Sequence, residues 1–320
     1  MTEDTLFSLV TREVERRVER LSKGQQWEDK EGEFKRSVAG ILSERVTCSR
    51  EKVELINGIV EEVIEAERSV GRRVVELEVE LSSIGAIGTS GGILHTLLEV
   101  GLTWDLVVDA PFVPGSGLKG AVRDVMIHNC ARMPQAARLS CLEQTLRLMG
   151  VAAPAGRIPE AEEVARLLQL DEKRVEDVYW RVGGIVSADG RRIPVGQEGL
   201  IVFHDMYLCR EGVKPLEGWV LTPHYRRDET IDEYGARPVP VVHLVLRPGL
   251  TGRLVVGVEP GAEQVLERLL KLYTEHLRLR LSGDPYEFLV YVLAAALYRG
   301  VGARTSRGYT RLRVKSARLY

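Results

Sequence analysis

The sequence lacks the long apolar runs and the paired cysteines that mark membrane proteins and many metal sites. No apolar stretch approaches the roughly 18 residues that a bilayer-spanning helix needs. The first residues are acidic where a secretory signal would be basic and then apolar. The cysteines form no CxxC pair, so we expect reduced, mostly buried thiols and no metal ligands at Cys48, Cys130, Cys141 and Cys209. These absences favour a cytoplasmic protein that contacts no membrane.

The chain also has little net charge, with a formal value of -2 at pH 7. This value argues against a free-standing protein that holds nucleic acid through its bulk charge. The distribution is uneven, because glutamates crowd residues 13–80 whereas residues 299–320 include no acidic side chain. The basic residues of that terminal stretch are Arg299, Arg304, Arg307, Arg311, Arg313, Lys315 and Arg318. We therefore expect the C-terminal end to meet an anion.

The rest of the composition is that of an ordinary globular protein. The chain has 320 residues, of which 44% are hydrophobic and 28% charged, so it holds ample apolar material for a core. That length fits one large α/β unit or two fused smaller ones. No internal repeat of fixed period and no low-complexity tract is visible.

Hydrophobic periodicity changes along the chain from helical to strand-like. Residues 1 to about 68 space their apolar side chains three and four apart, which predicts helices. Val75 to Leu81 then alternates apolar with acidic residues, which predicts a half-buried strand. A glycine-rich loop is predicted at 84–92. Further strands are predicted within 97–108, at 184–186, 200–204, 240–246 and 254–258, and from about Tyr309. Further helices are predicted from Ser116, within 134–183, and at 262–281 and 285–298.

This order of elements predicts an α+β fold with a mostly antiparallel sheet and helices on one face. A ferredoxin-like core is the simplest such arrangement. We expect residues 1–70 to form a helical region packed on the core and residues 71–320 to form the core itself. Because residues 134–183 show no strand period, they are interpreted as a helical insertion between core strands.

The first of two glycine-rich basic loops is Pro114 to Arg123 (PGSGLKGAVR). Free amide groups at a helix start suit a phosphate, and Lys119 and Arg123 lie one helical turn apart. The loop is not a nucleotide-binding P-loop, because Gly120 stands where that motif needs a hydroxyl after the lysine. Binding of ATP or GTP is therefore discarded. On these residues alone, an ordinary capped surface helix explains the pattern equally well.

The second loop is Gly300 to Tyr309 (GVGARTSRGY). Its glycines loosen the backbone, its arginines and hydroxyls offer donors to phosphate, and Tyr309 offers a face for stacking on a base. Such a loop can follow a sugar-phosphate chain without reading its sequence. The alternative is a plain connection between a helix and a strand, with solvated arginines.

The two loops together resemble the motifs of the RAMP superfamily of CRISPR proteins. The motifs on which this resemblance rests are PGSGLKG at 114–120 with Arg123, and GxGxxTxxGY at 300–309. Between them, LTPHY at 221–225 and PVPVV at 238–242 resemble the branch that forms the sixth-numbered subunit of the type III-B Cmr effector complex. The similarity spans residues 75 to about 315, with the motifs in the expected order.

The resemblance implies a non-catalytic, RNA-binding backbone subunit built from ferredoxin-like, RNA-recognition-type modules and serving antiviral defence. Its partners would be CRISPR RNA near the 3′ region and other Cmr backbone subunits, with target RNA as a further candidate and no small-molecule substrate or cofactor. The implied RNA-binding residues are Ser116, Gly117, Lys119, Arg123, His224, Tyr225, Arg304, Thr305, Ser306, Arg307 and Tyr309. Two positions depart from the family: it often has serine at Gly117 and glycine at Thr310.

Two other functions stay open at this point. Some RAMP relatives cleave CRISPR RNA precursors, which requires a general base and a general acid around one phosphate. The candidates for such groups are His95, His128, His224 and the pair His204 and Asp205, none of which has an obvious partner in the sequence. The other alternative is a protein adaptor whose basic C-terminal end docks an acidic neighbour.

Overall fold

The computed structural model describes residues 5–22, 31–98, 100–154, 158–221 and 241–320. The helices are α1 (Leu6–Ser22), α2 (Glu31–Arg45), α3 (Arg50–Ser69), α4 (Ile93–Leu98), α5 (Gly115–Ala131), α6 (Gln135–Met149), α7 (Pro159–Leu168), α8 (Glu172–Gly183), α9 (Ala262–Leu277) and α10 (Pro285–Arg299). The strands are β1 (Arg73–Leu81), β2 (Trp104–Asp105), β3 (Ala110–Val113), β4 (Gly184–Val186), β5 (Arg192–Pro194), β6 (Ile201–Phe203), β7 (Met206–Tyr207), β8 (Leu216–Leu221), β9 (Val241–Leu246), β10 (Thr251–Val258) and β11 (Leu312–Leu319). This mixture of helices and antiparallel strands confirms the predicted α+β class.

A four-stranded antiparallel sheet organises the molecule, with the strand order β11-β1-β10-β6. Strand β1 occupies the centre because its alternation buries Leu77, Val79 and Leu81 on one face. It pairs with β10 through registers such as Leu77 with Leu254. Strands β6 and β11 form the two edges of the sheet. Residues just before β11 and residues beside β6 therefore adjoin opposite edges.

Helices cover both faces of this sheet, which makes the prediction of helices on one face wrong. On the second face, α3 buries Val60 and Ile64 against Val74 and Val255 of the sheet. The reason lies in β1, where Val74 breaks the alternation and adds an apolar side chain to the face that otherwise carries glutamates. That patch needs an apolar cover, and α3 supplies it.

The strand predicted within 97–108 is largely helix and turn instead. The first residues of that predicted strand belong to helix α4, and among its described residues only those of β2 are extended. The cause is Asp105, whose carboxylate accepts hydrogen bonds from the N–H groups of Val107 and Val108 and so closes a turn. The strand predicted at 240–246 is present as β9, but sequence periodicity missed β8, with which it pairs antiparallel. Gly85 forms an antiparallel bridge to Leu246 of β9.

Residues 134–183 form helices α6, α7 and α8, as the periodicity predicts. They are less separate from the core than an insertion suggests. Helix α6 packs between α5 and α9, and its Leu142 and Leu146 are fully buried in the main hydrophobic core. After α8, the chain forms the exposed hairpin of β4 and β5.

The N-terminal helices join the same hydrophobic core through a buried polar junction at Asp109. Its carboxylate accepts hydrogen bonds from the Leu6 N–H at 2.9 Å and the Trp104 indole N–H at 3.0 Å. It also pairs with the Lys52 ammonium at 2.6 Å, with both side chains buried. A buried carboxylate is stable only when it is paired and hydrogen-bonded in this way. Asp109 therefore ties α1 and α3 to the β2–β3 turn.

All four cysteines are paired, so the prediction of reduced thiols is wrong for this structure. Cys48 bonds to Cys209 across 161 residues of sequence, with Cα atoms 5.6 Å apart. Cys130 bonds to Cys141 between α5 and α6, with Cα atoms 5.5 Å apart. Such spacing fits a disulfide. Only the tertiary fold brings Cys48 to Cys209, which is why sequence spacing could not predict the bond.

Within the described part of the chain, no helix combines the length and hydropathy that crossing a membrane requires. Groups of histidine, cysteine and carboxylate side chains that could hold a metal are also absent from these residues.

Candidate nucleic-acid interface

The loop from Gly300 to Arg311 has a tightly fixed backbone. Positive φ angles occur at Gly300, Gly302, Arg304, Gly308 and Thr310. Such angles are costly for residues other than glycine unless the surroundings hold them in place. We call residues 300–311 the C-terminal loop below.

A neighbouring segment, residues 84–87, holds the C-terminal loop through backbone hydrogen bonds. The Ala303 N–H donates to the Ala86 carbonyl at 2.9 Å, and the Thr310 N–H donates to the Ile84 carbonyl at 2.8 Å. Gly302 fits closely, since a Cβ there would lie 2.7 Å from the Ala86 carbonyl oxygen. The loop is therefore held against the molecule largely by its backbone.

Thr310 has a backbone conformation that glycine usually adopts. Its φ of 51° lies in the left-handed region, where glycine has no steric cost. The threonine is fully buried, and its hydroxyl accepts a hydrogen bond from the Ala86 N–H at 2.9 Å. A side-chain hydrogen bond that glycine could not make thus compensates for the backbone strain.

The side chains of the C-terminal loop form a strip of cations and tyrosines. Arg304, Arg307 and Arg311 have no carboxylate within ion-pair distance among the residues that the structure describes. The Arg304 guanidinium lies 6.0 Å from the centre of the Tyr309 ring, and that of Arg311 lies 5.9 Å from the Tyr298 ring. Both are within reach of cation–π attraction. Thr305 and Tyr309 are half-buried, whereas Ser306 and Arg307 are exposed.

The remaining basic residues of the C-terminal stretch bind carboxylates of the protein itself. Arg313 and Lys315 pair with Glu80 at 3.0 and 2.7 Å, and Arg318 pairs with Glu76 at 3.6 Å. Arg299 pairs with Asp124 at 3.3 Å. The prediction that the whole terminal stretch meets an anion is therefore too broad, because pairing β11 with β1 places these cations against the glutamates of β1.

A buried histidine of β9 lies close enough to Arg304 of the C-terminal loop to be affected by its charge. His243 of β9 is 1% exposed, and its Nδ1 has no hydrogen-bond partner. Burial lowers the pKa of this imidazole, a contact with the Val241 backbone opposes the shift, and the positive charge of Arg304 adds to it. One guanidinium nitrogen of Arg304 is likewise buried without a partner. His243 lies within the strand predicted at 240–246 and belongs to none of the motifs in the sequence.

The first glycine-rich loop becomes the N-terminal turn of α5, beside edge strand β6. The Gly115 N–H donates to the Asp205 carboxylate at 2.7 Å, so this helix start already has an anionic partner. A Cβ at Gly115 would lie 2.3 Å from the Phe203 carbonyl oxygen. Gly115 therefore permits close approach of the protein's own backbone, while Ser116 and Gly117 are exposed to solvent.

The cations of this first loop have intramolecular neighbours. Arg123 pairs with Glu160 at 2.7 Å and lies 3.5 Å from the Tyr179 hydroxyl. Burial lowers the pKa of Lys119, Arg123 adds to the shift, and Glu198 opposes it. Ser116, Lys119 and Arg123 line a cleft of about 620 Å³ between α5 and residues 149–152 and 197–203.

The two loops adjoin opposite edge strands of the central sheet. Residues 114–123 lie at the β6 edge, whereas the C-terminal loop leads into β11 at the opposite edge. Helices α5 and α10 connect the two regions across the sheet, with the Arg299–Asp124 ion pair between them. His224 and Tyr225 lie outside the described residues.

The groups considered for acid–base catalysis are mostly bound within the protein. His204 contacts Glu67 at 2.9 Å, and His128 contacts Asp124 at 3.2 Å. Asp205 accepts the Gly115 N–H, and His95 is exposed on the short helix α4. The tertiary structure adds two residues to the strip that are not among the residues predicted to bind RNA, Tyr298 and Arg311. In the sequence they are recognisable as a tyrosine at the end of a predicted helix and an arginine two residues after Tyr309.

The chain is similar to a Cmr protein over most of its length. It is 21% identical over 283 residues to the CRISPR system CMR subunit Cmr6 of Saccharolobus solfataricus, covering 88% of this chain and 72% of that protein. A chain of the cryo-EM structure of the type III-B Cmr-beta bound to cognate target RNA has a TM-score of 0.54 at 22% identity, covering 90% of this chain and 73% of that one. The crystal structure of Cmr6 from Pyrococcus furiosus matches with a TM-score of 0.36 at 18% identity, covering 76% of this chain and 98% of that one. No family model matches the sequence.

Proposed function

We propose that this chain is a non-catalytic, RNA-binding backbone subunit of a type III-B Cmr effector complex. It holds CRISPR RNA near the 3′ region through the C-terminal loop and contacts neighbouring Cmr subunits, with target RNA as a further ligand. The observation that carries the proposal is the cluster of Arg304, Arg307 and Arg311 beside Tyr298 and Tyr309, with no carboxylate near these arginines in the described chain.

The fold supports an RNA-recognition-type core. In chain order, the central sheet and its helices run β1, α5, β6, β10, α9 with α10, and β11. This sequence of strand, helix, strand, strand, helix, strand is that of a ferredoxin-like module. We therefore assign the four-stranded sheet to such a module, with α3 as a cover on its second face.

The chemistry of the loop suits a single-stranded polyanion. Arginines and hydroxyls donate to phosphate oxygens, and tyrosine rings stack on bases whatever their identity. A subunit that shares its RNA with neighbours needs only a local basic patch, since each contact raises the effective concentration for the next. The near-neutral net charge of -2 is compatible with that arrangement.

The first loop has a smaller part in this proposal. Lys119 and Ser116 reach the cleft at the β6 edge and can add a distant phosphate contact. Arg123 is committed to Glu160 and stabilises the contact of α5 with α7. His224 and Tyr225 stay in the proposal on the strength of the motif alone.

The decisive experiment measures binding of a short single-stranded RNA to the full chain by fluorescence anisotropy at several salt concentrations. We expect affinity to fall with salt with a slope of about 0.7 for each phosphate contact. The variant Arg304→Glu with Arg307→Glu should lose binding, because each charged contact contributes about 1.5–3 kcal/mol. The matched control is Arg268→Glu with Lys271→Glu, the same charge change on exposed positions of α9.

Binding by the loop variant equal to the parent, with unchanged assembly, would contradict the assignment. Purification of the native chain provides an independent check, since the proposal predicts a set of Cmr subunits together with a short RNA. Cleavage of repeat RNA without metal, lost in His128→Ala or His224→Ala, would instead favour an endoribonuclease. An adaptor that never touches RNA would give no crosslink at Tyr309.

A further inference from the structure

Helix α10 carries an unusual outward face. Its buried side holds Phe288, Leu289, Val292, Leu293, Ala296 and Leu297. On the opposite side, Tyr291 and Tyr298 are 38% and 69% exposed. They lie seven residues apart, which places both rings on the same side of the helix about 10 Å from each other. Only the half-buried Ala294 and Ala295 lie between them on that side.

This tyrosine face is continuous with the C-terminal loop. Tyr298 is the penultimate residue of α10, and the Arg311 guanidinium lies 5.9 Å from its ring centre. The next residue, Arg299, is half exposed and pairs with Asp124. At the other end of the face, Glu287 is exposed one turn before Tyr291. The cations therefore lie at the loop end, and a carboxylate marks the far end.

We propose that the RNA strand continues from the C-terminal loop onto α10, where one base stacks on Tyr298 and another on Tyr291. The inference rests on the proposed function and adds the path of the RNA strand over the surface and the residues on which its bases stack. At about 3.4 Å for each stacked nucleotide, the two rings are about three nucleotides apart. Because every base has a π-face, this contact tolerates any sequence.

The spacing of the two rings and the arginines beside them favour single-stranded nucleic acid as the occupant of this face. Two spaced rings beside arginines that have no carboxylate partner in the described ranges match the stacking platforms and cationic grooves that hold single-stranded nucleic acid.

The test compares single-stranded oligoribonucleotide binding to the full chain among aromatic variants. We expect Tyr298→Ala to weaken binding about fivefold to a hundredfold, Tyr291→Ala to weaken it less, and Tyr298→Phe to bind like the parent because the ring remains. The matched control is Trp219→Ala, which removes an aromatic side chain 37% exposed on the β8–β9 hairpin. Thermal melting confirms that each variant is folded, which exposed positions favour.

Three results would overturn the inference. If Tyr298→Ala and Tyr291→Ala bind as the parent does while the Arg304 and Arg307 reversal loses binding, the tyrosine face is not on the RNA path although the proposed function stands. If the tyrosine variants bind RNA normally but fail to assemble with other subunits, the face contacts protein. If the parent chain binds no RNA, the proposed function and this inference fall together. A crosslink from 4-thiouridine RNA to the peptide containing Tyr298 would support the inference directly.

Discussion

The two glycine-rich loops have similar composition, yet they differ in whether carboxylates of the protein bind their donor groups. At the β6 edge, Gly115 and Arg123 bind Asp205 and Glu160 of the protein itself. At the β11 edge, the backbone of the C-terminal loop takes up the intramolecular hydrogen bonds, and its arginines have no carboxylate partner in the described residues. A basic glycine-rich motif therefore indicates a binding site only when the protein leaves its cations unpaired.

The strongest test of this comparison removes the covalent brace of α5. Cys130→Ser with Cys141→Ser should lower the free energy of unfolding by about 3 kcal/mol, because the bond restricts the conformations of the unfolded chain. RNA affinity should stay unchanged, since the C-terminal loop is held by its own hydrogen bonds. Urea denaturation and RNA titration measure the two quantities.

The control is the second disulfide, Cys48–Cys209, which spans 161 residues. Its double serine variant should cost about 5 kcal/mol by the same loop-entropy argument. A loss of RNA affinity in the Cys130 variant, at temperatures where it remains folded, would mean that the β6 edge contributes directly to binding.

The second test concerns the backbone of the C-terminal loop. Thr310→Val keeps the size of the side chain but leaves the Ala86 N–H without an acceptor, which should cost about 1–3 kcal/mol of stability. RNA affinity should fall as well, because the loop loses part of its fixed shape. Denaturation curves and RNA titrations test both effects.

Thr310→Ser retains the hydroxyl and serves as the matched control. A valine variant as stable as the serine variant would show that this hydrogen bond does not hold the loop.

The third test compares alanine variants of two arginines, one from each loop. Arg123→Ala should lower stability by about 1–2 kcal/mol, since Tyr179 and Glu160 lose their partner, and should change RNA affinity little. Arg307→Ala should do the opposite, with stability within about 0.5 kcal/mol of the parent and weaker RNA binding. Equal effects of the two variants on RNA affinity would remove the distinction between the edges.

The smallest effect is a pH dependence from His243. Because burial lowers the pKa of this imidazole, the folded protein binds fewer protons there than the unfolded chain does below about pH 6.5. Its contribution to stability is therefore complete above pH 6.5 and is lost as the pH falls toward the folded pKa. Urea denaturation at pH 7 and pH 5 should show a smaller loss in His243→Gln than in the parent. An equal loss in the two proteins would contradict the buried, neutral histidine.

Much of the fold follows from local pattern. Alternation in Val75 to Leu81 predicts the central strand, and helical spacing predicts the N-terminal helices and α5 to α10. The prediction failed where side chains redirect the chain, as Asp105 does by closing a turn, or where a single residue adds a second apolar face, as Val74 does. Periodicity describes which side of an element is apolar and says nothing about what covers it.

The sequence by itself determined most of the helices, the central strand, the glycine-rich turns, and the excess of cations at the C-terminal end. The tertiary structure decided which of those cations have partners, because pairing β11 with β1 sets Arg313, Lys315 and Arg318 against Glu76 and Glu80. It also joined Tyr298 to Arg311 and Cys48 to Cys209, which lie apart in the chain. Electrostatic attraction and stacking act over a few ångströms in space, so the fold determines which charges are neutralised and which face outward.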